Sequence, residues 1–255
     1  MKVTAMIPSR MGSWRFPGKP LCDICGLPMI EHVYKRTAMS KVLHETYMVT
    51  CNKEIEEATK KFGGKVIMTP DTFNRCTDRI AYAAEKSGCD ADIIVVVQGD
   101  EPLVYPEMID QAVKPMLEDP SIVCGCLISK TESAEEFDDR NVIKVVKDNN
   151  DFALYLSREG IPSKRLYNKP FDAYKQVCIM PYRRDFLLKF TKLPQTPLET
   201  VESVDMLRIL EHGYKIKLVE THFKSHSVDV EADRHTVIKL MEKDELFPKY
   251  GKVKK

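Results

Sequence analysis

Between Ser9 and Pro20 the chain reads Ser-Arg-Met-Gly-Ser-Trp-Arg-Phe-Pro-Gly-Lys-Pro. Arg10, Arg15 and Lys19 supply three cations, and Gly12 and Gly18 let the backbone come close to a ligand. Such a set suits a polyphosphate, because guanidinium and ammonium groups neutralise phosphate oxygens at short range. The same stretch also reads as a solvated basic loop. It is neither a G-x-G-x-x-G turn nor a Walker P-loop. A second cluster, Gln98-Gly99-Asp100-Glu101-Pro102, follows a wholly apolar run. A carboxylate at the end of a strand is placed to hold Mg2+ beside a phosphate, so Asp100 is a candidate metal ligand. The alternative, a cap for a helix opening at Pro106, puts Asp100 rather far upstream. The third is Asp229, just before a helical stretch, where a capping carboxylate is the simpler reading. It gains weight because a triphosphate-bound Mg2+ wants a second carboxylate near Asp100.

Elements must carry these loops. Val3 to Ile7 reads as a strand, Pro28 opens a helix, and Thr46 to Thr50 reads as a second strand with Asn52 as N-cap of the next helix. Gly63-Gly64 ends that helix, Lys65 to Met68 is a third strand, and Thr77 to Lys86 is helical. Ile93-Ile94-Val95-Val96-Val97 is a continuous β-branched run, as in a strand buried on both faces of a parallel sheet. Pro106 opens another helix and Ile122 to Ile128 is strand-like. This rhythm predicts an α/β fold, a doubly wound and mostly parallel sheet. From about 141 to 195 the rhythm changes. Val142 to Val146 and Phe152 to Tyr155 flank the turn-prone Asp148-Asn149-Asn150, which predicts a hairpin. Prolines and lysines crowd the stretch from Pro162 to Pro170, so the region reads as an antiparallel insertion within one domain spanning 1–255. Thr200 to His212 predicts one amphipathic helix closed by Gly213. Ile216 to Val219 reads as a strand and Glu231 to Lys243 as a last helix.

Composition narrows the partners. The net charge is +1, from 39 basic and 38 acidic residues, without the basic excess of a phosphate-backbone binder. The four lysines between Lys249 and Lys255 read as a solvated end. No stretch of about 20 apolar residues is present and the first residues do not form a signal-peptide core, so membrane association is not expected. Eight cysteines without a secretory signal suggest reduced thiols and a cytoplasmic location.

The combination of motifs resembles one family, the CMP-Kdo synthetases, or 3-deoxy-manno-octulosonate cytidylyltransferases. The resemblance runs from about Lys2 to Leu240. It rests on Ile7-Pro8-Ser9-Arg10, Arg15-Phe16-Pro17-Gly18-Lys19-Pro20-Leu21, Thr77-Asp78-Arg79, Val97-Gln98-Gly99-Asp100-Glu101-Pro102, Ala153-Leu154-Tyr155-Leu156-Ser157-Arg158, Pro197-Leu198-Glu199 and Val228-Asp229. It implies a Rossmann-like nucleotidyltransferase fold with a smaller antiparallel dimerisation lobe, a homodimer, and a role in lipopolysaccharide biosynthesis. It also implies CTP and an acidic small-molecule acceptor as substrates, Mg2+ as cofactor, and pyrophosphate release. By the same resemblance Arg10, Arg15 and Lys19 handle the triphosphate, with Pro8, Thr77 and Arg79 beside the nucleotide. Lys19, Arg10 and Asp100 become the catalytic candidates, and Asp100 and Asp229 the Mg2+ ligands. Arg79, Gln98, Gln176, Tyr182, Glu202 and Asp205 fall to the acceptor, whose carboxylate finds candidate cations in Arg79 and Arg183.

The acceptor half departs from the family pattern. Where members carry Ser-Gly-Thr-Glu-Arg this chain has Arg75-Cys76-Thr77-Asp78-Arg79. The usual histidine before the Gly-Ile-Tyr-Gly-Tyr-Arg stretch is Gln176, which cannot titrate near neutrality. A Glu-Gln pair is replaced by Asp205-Met206, which removes an amide donor and acceptor. These changes leave open Kdo itself, a Kdo-like acid, another small acid such as a phosphonate or a sugar phosphate, or an inactive nucleotide-binding relative. Cys22-x-x-Cys25 lacks the second ligand pair of a zinc site and reads as packing. Trp14, the single tryptophan, reads equally as nucleotide cover, core packing or loop anchor.

Overall fold

The computed structural model describes residues 1–164 and 171–251. Most of the stretch from Pro162 to Pro170, and all but the first of the tail lysines, lie outside the described residues. The chain divides into two compact units, Met1–Asp110 with Lys224–Lys255, and Gln111–Phe223. The insertion expected at 141–195 falls within the second.

The first unit contains β1 (Val3–Pro8), a two-residue hairpin of β2 (Asp23–Ile24) and β3 (Leu27–Pro28), α1 (Met29–Thr37), β4 (Glu45–Thr50), α2 (Lys53–Lys61), β5 (Lys65–Met68), α3 (Cys76–Lys86) and β6 (Ile93–Val97). These strands run in parallel in the order β6-β1-β4-β5, with Met6 opposite Val96 and Tyr47. Every residue of β1 and β6 is buried, as the unbroken apolar runs predict. Helices α1, α2 and α3 pack on these strands. The chain leaves β1 toward β4 and β5, then returns to β1's other side as β6. That reversal makes a crevice beyond the carboxyl ends of β1 and β6, where open α/β sheets bind ligands. α4 (Pro106–Glu118) follows and leads into the second unit.

The second unit carries β7 (Gly125–Lys130), α5 (Ala134–Asp138), β8 (Lys144–Lys147), β9 (Ala153–Ser157), β10 (Tyr174–Val177), β11 (Ile179–Arg183), α6 (Arg184–Phe190), α7 (Pro197–Glu202), α8 (Met206–Glu211) and β12 (Lys217–Glu220). Its sheet runs β12-β7-β10-β8-β9, antiparallel except for β12 against β7. The expected hairpin is β8-β9, and the Asp148 carboxylate closes its turn by accepting from the amides of Asn150 and Phe152. The single helix expected from Thr200 to His212 is instead α7 and α8. Ser203 adopts a left-handed conformation (φ 53°) between them, and a buried Glu199–Arg208 ion pair fastens one to the other. Periodicity does not report such a break: α8 buries Met206, Leu207 and Ile209, whereas Leu198 and Val201 of α7 are exposed.

The chain returns to the first unit for α9 (Glu231–Met241). Its inner face joins Ile24, Met29, Leu103 and Phe247 in one cluster, against which Phe16, Cys22 and Cys25 pack. Arg36 is fully buried; it gives two hydrogen bonds to Asp244 and one to the Val104 carbonyl, which ties the segment after α9 to α1.

Candidate active site

A cavity of about 330 Å3 opens at the carboxyl ends of β1 and β6. The two strands end side by side, and Gly99 is required there. A Cβ at that position would stand 2.6 Å from the Pro8 carbonyl oxygen. The loop after β1 is braced from within. The Met11 carbonyl accepts from the amides of Ser13 and Gly18, and the Met11 amide donates to Asn52 Oδ1 at 3.0 Å. Asn52, expected as a helix cap, makes no side-chain cap bond and anchors this loop instead. Gly18 is left-handed (φ 74°) and turns the chain into a short 3-10 turn, so that Lys19 points back at the cavity.

Lys19 is the centre of a charge cluster. Its ammonium donates to Asp100 Oδ2 at 2.9 Å and Asp229 Oδ1 at 3.3 Å, and its side chain is 12% exposed. Arg15 donates to the same Asp229 oxygen at 2.9 Å. The simpler reading of Asp229 as a cap is overturned. Asp233 accepts from the amides of Asp229 and Val230 at the start of α9, which leaves the Asp229 carboxylate turned to the cations. The Val228 amide donates to the Asp100 carbonyl at 2.9 Å and fixes the two acidic segments against each other. The pair suits Mg2+, which commonly takes one or two carboxylates with phosphate and water oxygens completing six ligands. Among the described residues no group of three or more His, Cys, Asp or Glu is arranged to hold a metal.

Pro8, Arg10, Arg15, Lys19, Arg79, Gln98, Asp100 and Asp229 all line the cavity. Arg10 is exposed at its rim and Trp14 is 90% exposed. Trp14 is therefore not a core or anchoring residue; Phe16, packed on the α9 cluster, holds the loop. Gln98 donates to Cys76 Sγ at 3.3 Å, and both line the cavity. Cys76 replaces the glycine of the family pattern, so a thiol stands where the pattern leaves space.

Several expectations need correction. Thr77 is buried and does not line the cavity; it is the second residue of α3. Arg79 lines the cavity, but its guanidinium donates to Thr69 Oγ1 and the carbonyls of Pro70 and Phe73, bracing the segment before α3. Arg183 donates to the carbonyls of Met116, Asp119 and Ile122, closing the end of α4 rather than meeting a carboxylate. Tyr182 is fully buried, stacked on Phe190 with its hydroxyl toward Met180 Sδ, and packs the second unit's core. In that unit Gln176 donates to the sulfurs of Met206 (3.1 Å) and Met180 (3.4 Å), and Asp205 stands at the start of α8. Burial works to raise the Glu202 carboxyl, but hydrogen bonds from the Arg158 amide, Ser157 and Tyr155 outweigh it and hold the group below the usual range. Cys22 is pushed up to about 11 by burial, as befits a packing thiol. No helix among the described residues is long and apolar enough to cross a membrane.

Comparisons with known proteins identify the family. Residues 4–216 match the family described as Cytidylyltransferase. A 3-deoxy-manno-octulosonate cytidylyltransferase of Geobacter metallireducens is 45% identical over 251 residues, covering 94% of this chain and 98% of its own. One from Geotalea uraniireducens is 44% identical over 253 residues, covering 95% and 100%. Among solved structures, a CMP:2-keto-3-deoxy-manno-octonic acid synthetase complexed with CTP superimposes with a TM-score of 0.89 at 36% identity, covering 95% of this chain and 99% of that one.

Proposed function

The chain belongs to the cytidylyltransferase family, and from that membership we propose that it transfers CMP from CTP to 3-deoxy-manno-octulosonate (Kdo) with Mg2+ as cofactor, releasing pyrophosphate. The anomeric hydroxyl oxygen attacks the α-phosphorus of CTP. The new P–O bond forms as the bond to the pyrophosphate oxygen breaks, with attacking and leaving oxygens in line, and the hydroxyl proton is released. Arg10, Arg15 and Lys19 bind and neutralise the triphosphate and then the departing pyrophosphate. Asp100 and Asp229 are the residues that would hold Mg2+, which when bound supplies Lewis-acid neutralisation of phosphate charge. Pro8 and Gly99 keep the two strand ends close enough for these groups to converge on one phosphate chain.

The observation that carries this reading is the Lys19 ammonium between two carboxylates at the strand reversal, in a cavity also lined by Arg10, Arg15, Arg75 and Arg79. Cys76 beside Gln98 supports testing Kdo-like acids in parallel. The eight cysteines, none in a disulfide, support a cytoplasmic setting. The exposed Leu154 and Val201 of the second unit support a homodimer, measurable by sedimentation equilibrium. The deciding experiment is pyrophosphate release with CTP and Mg2+ across Kdo, its amino-substituted relatives, sialic acids and small phosphonates. Turnover with Kdo or one relative upholds the proposal; silence across the panel, with CTP bound, refutes it.

A further inference from the structure

We infer that Lys19 is a built-in occupant of the metal position, so that Mg2+ enters only with the nucleotide that draws the lysine away. The inference rests on the reading of Asp100 and Asp229 as metal ligands. Its observation is the placement of one ammonium against both carboxylates, at 2.9 and 3.3 Å, with only 12% of the side chain exposed. An ammonium there takes the carboxylate oxygens that a divalent ion needs.

Charge balance points the same way. Asp100 and Asp229 carry two negative charges, and Lys19 and Arg15, both in contact with them, carry two positive. A divalent cation entering this neutral cluster meets two like charges at short range and gains little. A triphosphate changes the balance. Its oxygens attract Lys19 and Arg15, the carboxylates are released, and the same oxygens complete the metal's coordination. Lys19 thus holds the two carboxylates in the free protein and becomes a phosphate ligand in the complex. Because the loop that carries it is braced by Asn52 and by the Met11 carbonyl, the side chain swings without the backbone moving.

The test is the amount of Mn2+, which takes the same oxygen ligands as Mg2+, retained by the full chain in ultrafiltration. Without nucleotide, Lys19→Met is expected to bind Mn2+ about tenfold or more tighter than wild type, by removal of one adjacent positive charge. Lys19→Gln, which keeps a polar side chain, should show the same direction should the methionine variant fail to fold. Arg15→Gln should tighten binding less, since Arg15 bonds Asp229 while Lys19 bonds both carboxylates. CTP should raise Mn2+ retention in wild type and narrow the gap to the variants. Equal or weaker Mn2+ binding by both Lys19 variants, with CTP still raising retention by wild type, overturns the inference and leaves the proposed activity standing. No Mn2+ retained by any form, with or without CTP, overturns the metal reading itself.

Discussion

Substituting Gly99 by alanine isolates the contact on which the site geometry depends. A Cβ there would lie 2.6 Å from the Pro8 carbonyl oxygen and 3.4 Å from Ser9 Cβ, whereas real Cβ atoms essentially never come under 3.0 Å. One strand end must therefore retreat by at least about 0.4 Å, and neither is free to do so. The Ser9 amide is hydrogen-bonded to Val49, and the Asp100 carbonyl accepts from Val228. Overpacking against backbone costs about 1–3 kcal/mol. For a chain of this size, at about 2 °C per kcal/mol, that lowers the melting temperature by about 2–6 °C. The displacement also separates Gln98 and Asp100 from the Arg10 to Lys19 loop. At roughly a hundredfold in rate per ångström of misplacement, a shift of about 0.4 Å costs about five- to tenfold in kcat/KM. Urea denaturation and pyrophosphate release measure the two effects. Gly12→Ala, where a Cβ meets nothing within 4 Å, is the control and should be close to neutral in stability. A Gly99→Ala protein within about 0.5 kcal/mol of wild type, and with unchanged kcat/KM, would refute the close-approach argument.

Four further outcomes are expected. Asp100→Asn should lower turnover at least about a hundredfold while leaving the melting curve near wild type; near-normal activity would sink its role as a metal ligand. Titration with CTP should change the emission of Trp14, the single tryptophan and 90% exposed at the cavity, and an unaltered spectrum at saturation would show that bound nucleotide does not reach it. Asp244→Asn should cost about 3–5 kcal/mol in urea, because Arg36 is left charged and fully buried; a loss below about 1 kcal/mol would contradict the pairing. Burial lowers the His32 imidazole to about 4 from 6.5, so the unfolded chain binds the extra proton first. Its contribution is present in full above pH 6.5 and is lost as pH falls toward 4, by up to about 3 kcal/mol. A His32→Gln protein with the same acid limb as wild type would exclude that assignment.

Strands β1 and β6 were legible because burial on both faces leaves a nearly unbroken apolar run, as in Ile93 to Val97, and no side chain has to alternate. The cationic loop and the acid at the end of β6 were legible for a related reason. Charged side chains beside an apolar strand have no role in its packing, which marks them as candidates to face a ligand. The family resemblance extended this reading to the late Val228-Asp229, which spacing by itself assigns to a cap.

What the linear pattern did not determine is which polar group does which task once the chain is folded. Asp229 and Asp233 are both acids near one helix start, and only the hydrogen bonds show that Asp233 takes the cap and frees Asp229. Asn52 has a cap's sequence context yet spends its side chain on a loop 41 residues earlier. Arg79 and Arg183 suited an acceptor carboxylate by residue type and Tyr182 by resemblance; tertiary structure gives Arg183 to carbonyls, Tyr182 to the core, and Arg79 to Thr69 and two carbonyls at the edge of the cavity. The physical reason is common to these cases. A polar side chain satisfies whichever partner lies within about 3 Å, and partners from distant parts of the chain are set by the packing of whole elements, not by local spacing.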